Sequence, residues 1–328
     1  MSKKRVQIFN QETWDNEVRK ENKDILNDYI LEMKSKRKAE KTIEQYVFDI
    51  KMFLVWACDE LDNKSVLKMK KRDYRRFFLG MQERGASASR INRVQCSLRN
   101  MLEFCAQDDD EYEDYEINVM RNIKGVPKEA VREIFFLEND LVDKMINILV
   151  ERQEYQRALY LCLSFESAGR RNEVHQVLKT DFLTNSRTNE VVGKRGKKFT
   201  LLYFNRTKEI AKLWFEQRGE DSIPSLFVVG KGASRRPASY ETLYDWCVAL
   251  RDVYEEVAGT YMEFNPHSFR HSALECYGDG THWVLKEMNK KSLPIEVLKV
   301  LANHDSIETT QGYLKNKDEA ILNEAFGL

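Results

Sequence analysis

Leu301-Ala302-Asn303-His304-Asp305-Ser306-Ile307-Glu308-Thr309-Thr310-Gln311-Gly312-Tyr313 sets a histidine and a tyrosine near the end of a 328-residue chain. Three upstream segments supply complementary groups. Ser167-Ala168-Gly169-Arg170-Arg171-Asn172-Glu173-Val174 presents an arginine where the nearly continuous apolar run Ala158–Phe165 gives out, and such a run argues for a helix buried on all sides. Gly193-Lys194-Arg195-Gly196-Lys197-Lys198 is a turn between Val191-Val192 and the β-rich Phe199–Phe204, so residues 188–204 are expected to form a hairpin whose tip carries lysines. Pro266-His267-Ser268-Phe269-Arg270-His271 opens a helix with His267 and Arg270 one turn apart, hence on one face. Further helices are expected near 207–218, 240–256, 268–276, 294–302 and 317–326, which makes this part of the chain mainly α with one small antiparallel sheet.

Two arginines, a lysine, two histidines and a tyrosine are the groups that phosphodiester transesterification needs. A pair of guanidiniums can grip the nonbridging oxygens bidentately, which lysine cannot match. A phenol can serve as covalent nucleophile, imidazole can move a proton near neutral pH, and an ammonium can protonate a departing oxygen. The set holds no carboxylate cluster, so a magnesium-dependent nuclease is disfavoured and no metal or cofactor is expected. A zinc pair from His267 and His271 stands as an alternative, but Ser268 occupies the place of the HExxH glutamate and no third ligand is evident. Tyr313 is one of 14 tyrosines, most of which serve packing in any protein; its spacing from His304 is what singles it out.

The N-terminal part reads differently. Leu26, Tyr29, Ile30 and Met33 give one amphipathic stripe, and Thr42 is a candidate cap for a second helix through Trp56. A third helix within 65–84 carries Lys68, Lys70, Lys71, Arg72, Arg75 and Arg76. A fourth, started by Ser87 or Ser89, carries Arg90, Arg93 and Arg99. Net charge is zero overall, yet residues 31–100 hold 17 Lys/Arg against 9 Asp/Glu, while residues 101–120 hold eight acids and no base. The basic positions are candidate phosphate contacts; the plain alternative is a solvated helix face. The expected organisation is a flexible tail over 1–21, a helical domain over 22–107, an acidic linker over 108–131 and a second domain over 132–328. Cys58, Cys96, Cys105, Cys162, Cys247 and Cys276 form no CxxC pair and read as reduced thiols. No leader and no apolar run near the roughly 20 residues of a membrane span is visible, so a cytoplasmic, nucleoid-associated protein is expected.

In order and content the four segments resemble the arginine box, hairpin lysine, HxxR box and final His-then-Tyr box of the tyrosine recombinases, the phage integrase superfamily. Thr42 and Tyr46 ahead of Asp49-Ile50, with the later Ile91-Asn92-Arg93, look like that family's core-binding (SAM-like) domain, and the likeness spans about residues 22–328. The resemblance implies that Arg170 and Arg270 hold the scissile phosphate, with Glu173 orienting them. Lys194 would be the general acid, with Lys197 its rival. His267 would be the acid/base group, and His304 would hydrogen-bond the phosphate. Tyr313 would attack to give a 3′-phosphotyrosyl link and a free 5′-hydroxyl. It also implies double-stranded DNA with a specific site as partner, and assembly on DNA, dimer to tetramer, through a C-terminal helix within 317–328.

The sequence departs from the family pattern at several places. Gly169 and Asn172 flank Arg170 and Arg171, Asn303 stands in place of a glycine before the histidine, and Phe199 replaces a basic residue. The stretch Leu274–Pro294, within 272–296, lengthens the gap between His267 and His304. Such an insertion threatens to carry His304 and Tyr313 away from the arginines, and a displacement of about 1 Å can cost on the order of 100-fold in rate. A phage repressor-like DNA-binding regulator that keeps the scaffold without exchanging strands is therefore the competing expectation, ahead of an unrelated helical nucleic-acid binder.

Overall fold

The computed structural model describes residues 9–127, 135–312 and 314. The chain divides into two compact units, 1–132 and 133–328.

In the first unit the helices are α1 (Gln11–Asn16), α2 (Lys20–Ser35), α3 (Glu40–Glu60), α4 (Lys71–Glu83) and α5 (Ala88–Cys105). Helix α3 is the hub. Every residue from Met52 to Ala57 is buried, and Phe53 stacks on Tyr74 and meets Phe77 edge-on, with centroids 5.0 and 5.1 Å away. Thr42 does not cap it: the N-cap is Ala39, without a side-chain bond, whereas Ser87 caps α5 by accepting from the Arg90 amide. Within residues 9–21, expected as part of a flexible tail, Gln11–Asn16 instead form α1, capped by Asn10, α2 already starts at Lys20, and Trp14 and Val18 are buried. The acidic stretch is likewise no free linker. Tyr115, Met120 and Ile123 join this unit's core, and the Tyr112 hydroxyl donates to Asp28.

That docking consumes basic side chains. Arg99 donates through Nε to the Met120 carbonyl (3.2 Å) and through a terminal nitrogen to the Ile123 carbonyl (2.8 Å). Arg93 grips the fully buried Asp49 with two bonds of 3.1 and 3.0 Å, and Ser97 and Gln45 complete the shell around that carboxylate. A buried carboxylate stripped of its partner is costly, so Arg93, its side chain still 42% exposed, has a structural task beside the expected DNA contact, and Arg99 holds the docked segment. Arg76 pairs with Glu60 at the surface, and half-buried Arg90 leans on Met52. Lys68, Lys70, Lys71, Arg72 and Arg75 remain exposed.

The second unit contains α6 (Asn139–Glu151), α7 (Tyr155–Ser167), α8 (Arg171–His175), β1 (Arg187–Val192), β2 (Lys198–Leu202), α9 (Asn205–Arg218), β3 (Val228–Val229), β4 (Arg236–Pro237), α10 (Tyr240–Ala258), α11 (Pro266–Asp279), α12 (Trp283–Glu287), α13 (Ile295–Leu301) and α14 (Ile307–Gln311). As the apolar run demands, α7 is buried from Ala158 to Ser167, packed among α6, α9 and α11. β1 and β2 form the expected antiparallel hairpin, with Val191 opposite Phe199 and Val192 opposite Lys198. β3 and β4 make a second, smaller pair.

The stretch after α11 folds onto the core. Gly280 turns the chain in the left-handed region (φ 85°), and a Cβ there would lie 1.8 Å from the Lys291 carbonyl oxygen. His282 stacks on Tyr277 and Phe165, and the Trp283 indole donates to Glu166 (3.1 Å), a carboxylate whose burial raises its pKa. The Leu293 amide then returns to the Tyr277 carbonyl (2.9 Å). The extra residues therefore close on themselves and re-enter the fold at α13.

Beyond the end of α9, Asp221 accepts from Arg218, Lys179 and Arg235. These bonds, Arg218's first, hold the carboxyl far below its usual pKa. With the folded pKa depressed, the stabilisation is complete above the unfolded value near 3.9 and is lost as pH falls toward the folded pKa. Asp221→Asn should destabilise the protein by about 2 kcal/mol at pH 7, and by progressively less below about pH 4. Urea melts at both pH values check this; an equal loss at both would contradict the charge-based account.

Candidate active site

Helix α7 ends with Ala168 in the left-handed region (φ 49°). Gly169 follows because a Cβ there would sit 2.9 Å from Ser167 Oγ and 3.0 Å from a Val174 methyl. This tight turn frees the Ala168 carbonyl and delivers Arg170 to the N-cap of α8. Glu173 reaches back one turn: it accepts from the Arg170 amide (2.7 Å) and from the Arg170 guanidinium (2.8 Å), and lies 3.9 Å from the Arg270 guanidinium. One buried carboxylate thus stands between both arginines and fixes their spacing.

Arg270 ties three segments together. It donates to the Ala168 carbonyl (2.6 Å), to the Ala302 carbonyl and to His304 Nε2 (2.7 Å). The insertion therefore does not pull His304 away, contrary to the expected hazard. Asn303 adopts φ 51°, the conformation a glycine would take there and one that asparagine tolerates. The two arginines are not equally open: the Arg170 side chain is 29% exposed and that of Arg270 only 1%.

His304 has a determinable tautomer. A guanidinium has no acceptor, so Nε2 must accept from Arg270 and the ring proton resides on Nδ1, which lies 3.0 Å from Thr310 Oγ1. Burial, then the charges of Arg270, Arg170 and His267, pushes the imidazole down to about 3. His267, on the first turn of α11, is held down at about 4 by desolvation and by His271, Arg270 and Arg170. Both rings are neutral at pH 7. His267 meets His271 edge-to-face at 4.8 Å.

The hairpin tip is drawn to the same place. A Cβ on Gly193 would lie 3.3 Å from Glu173 and 2.7 Å from the Phe199 ring, so the turn carrying Lys194 packs over the carboxylate that orients Arg170. Phe199 supplies that packing where the family pattern suggested a base. Across the tip, Asp305 pairs with Arg195 (3.3 Å) and lies 4.0 Å from Lys197. Lys194 is exposed. Arg170, Glu173, Arg270 and His304 are in direct contact, and His267 and the hairpin border them. Tyr313 and the expected C-terminal helix lie outside the described residues.

Thr310 and Asp305 escaped the sequence reading. Thr310 stood in the quoted motif six residues after the histidine, but nothing in a sequence shows which side chain a buried ring meets. Among the described residues, no helix is long and apolar enough to cross a membrane.

The comparisons agree with this geometry. Residues 136–320 match the phage integrase family, and residues 25–109 match the phage integrase N-terminal SAM-like domain. The SPbeta prophage-derived recombinase-like protein YomM of Bacillus subtilis is 28% identical over 286 residues, covering 83% of this chain and 81% of that one. Tyrosine recombinase XerA of Pyrococcus furiosus is 24% identical over 294 residues, covering 89% of each. In fold, the chain resembles a lambda integrase dimer bound to a COC′ core site (TM-score 0.65, 14% identity, 90% of this chain and 77% of that one). It also resembles the Tn1549 transposon integrase in complex with circular intermediate DNA (TM-score 0.66, 15% identity, 89% and 95%). The expected alternative of a strand-exchange-silent regulator has no counterpart among these relatives. The chain belongs to the phage integrase family of tyrosine recombinases.

Proposed function

We propose that this protein cuts and rejoins double-stranded DNA at a specific site, through a 3′-phosphotyrosyl intermediate formed by Tyr313. The observation that carries the reading is the Glu173-bridged pair of arginines with His304 on Arg270. Arg170, partly open to solvent, offers the first grip on the scissile phosphate, and Arg270 completes it as charge builds on the nonbridging oxygens. Neutral His267 takes the proton of the attacking phenol, and Lys194 at the hairpin tip, with Lys197 as its neighbour, protonates the departing 5′-oxygen. Breaking the P–O5′ bond while forming the P–O(Tyr) bond conserves one phosphoester, so rejoining needs no outside energy source.

The exposed Lys68, Lys70, Lys71, Arg72 and Arg75 supply sequence-independent backbone contacts, with a smaller share from Arg76 and Arg90. Assembly into dimers and tetramers on DNA through 317–328, a mobile-element origin and a cytoplasmic, nucleoid-associated setting complete the reading. The test uses a duplex recovered by selection for binding and nicked beside the cleavage point, so that the short leaving strand diffuses away. A covalent protein–DNA band that resists denaturant is expected. Binding without a band overturns the proposal.

A further inference from the structure

We propose that Thr310 is a positioning residue that lets His304 exchange tautomers, and that this exchange converts the closed Arg270–His304 pair into a phosphate-binding one. The inference rests on the phosphate-gripping role given to Arg270 and His304 above. As the site stands, Arg270 donates to Nε2, so His304 has no proton there to offer a phosphate oxygen. Its proton is on Nδ1, directed at Thr310 Oγ1, whose own hydroxyl faces the Ser306 carbonyl at 3.5 Å. Thr310 is fully buried and His304 nearly so, which leaves little room for water to substitute for either partner.

An arriving phosphate oxygen replaces Nε2 as Arg270's acceptor. Nε2 must then carry the proton to reach the same phosphate, and Nδ1 must accept. The imidazole stays neutral throughout: while the Arg270–His304 contact is open to the incoming phosphate, the Nδ1 proton leaves to solvent and one from solvent arrives at Nε2, so no net proton is consumed. The Thr310 hydroxyl turns from accepting at Nδ1 to donating to it. A hydroxyl, being donor and acceptor at once, satisfies both forms of the ring; a methyl satisfies neither and a carboxylate only the first. The charged groups facing the ring are Arg270 from α11, Arg170 from the turn before α8 and Asp305 from its own loop, with the neutral, titratable His267 of α11 beside them. The two guanidiniums and burial disfavour an imidazolium, and a neutral ring is what makes an exchange of tautomers, rather than simple protonation, necessary.

The test is nitrogen-15 NMR of the histidine-labelled full chain, which has five histidines, with His304→Gln identifying the resonance. Without DNA, wild type should show a pyrrole-type Nδ1 and a pyridine-type Nε2; with the nicked duplex bound, the two should change places. Thr310→Val should slow adduct formation roughly tenfold, as expected when a buried donor loses its partner, while Thr310→Ser should restore both rate and exchange. A pyridine-type Nδ1 in the free protein, an imidazolium pattern on DNA, or a Thr310→Val rate equal to wild type overturns the inference. Absence of any adduct with wild type, alongside the expected exchange, overturns the proposed strand cleavage and leaves the tautomer assignment standing.

Discussion

Tyr313→Phe should form no covalent adduct on a nicked site, a loss of at least about a thousandfold, while holding the same duplex with wild-type affinity. The substitution removes one oxygen and nothing else. Loss of an attacking nucleophile is among the largest single effects in enzyme chemistry, and the residual rate reflects only electrostatics and positioning. In the proposed mechanism the phosphate grip lies elsewhere, in Arg170, Arg270 and His304, so affinity has no reason to fall. A gel-shift titration beside the trapping assay separates the two quantities. An adduct that persists in Tyr313→Phe would hand the nucleophile's role to another side chain.

Arg270→Lys should be damaging in two separable ways. The guanidinium serves the Ala168 carbonyl, the Ala302 carbonyl and His304 at once, from a position 1% exposed, and sits 3.9 Å from Glu173. An ammonium keeps the charge but cannot span those acceptors in one plane. Stability should fall by about 3 kcal/mol, because buried carbonyls and a buried carboxylate lose a partner. Under conditions where the variant is folded, adduct formation should drop roughly 100- to 1000-fold, since charge stabilisation in the transition state is lost. DNA affinity should change less than about tenfold, one phosphate contact among many. Denaturant melts, single-turnover trapping and binding titrations measure the three. Equal losses in binding and cleavage would make Arg270 a binding group only.

The residue types and order of the four boxes made the second unit legible, because each box sits on a local signal. The apolar run ends at Arg170, the β-rich segments flank Lys194, and Pro266 opens a helix that puts His267 and Arg270 on one face. What stayed hidden is long-range pairing. Nothing local to Arg99 shows that the Met120 and Ile123 carbonyls will claim it, nor does anything near Arg93 show that Asp49, 44 residues earlier, will be buried beneath it. Trp14 and Val18 are too few apolar residues to make a period, so a six-residue helix reads as a tail. The acidic run hid its anchors for a similar reason: Tyr115, Met120 and Ile123 are scattered among carboxylates. The long stretch before α13 looked hazardous because its length is visible and its return path is not. His282 stacked on Tyr277, and Trp283 bonded to Glu166, show where those residues go.

The most direct test of the central claim is to map the attachment point in the trapped complex. Trypsin cutting after Lys299 and Lys315 releases the segment containing His304, Thr310 and Tyr313. After nuclease trimming, mass spectrometry should find that peptide carrying nucleotide on Tyr313. Nucleotide on any other residue, or an unmodified peptide from protein shown to bind the same duplex, would contradict the account.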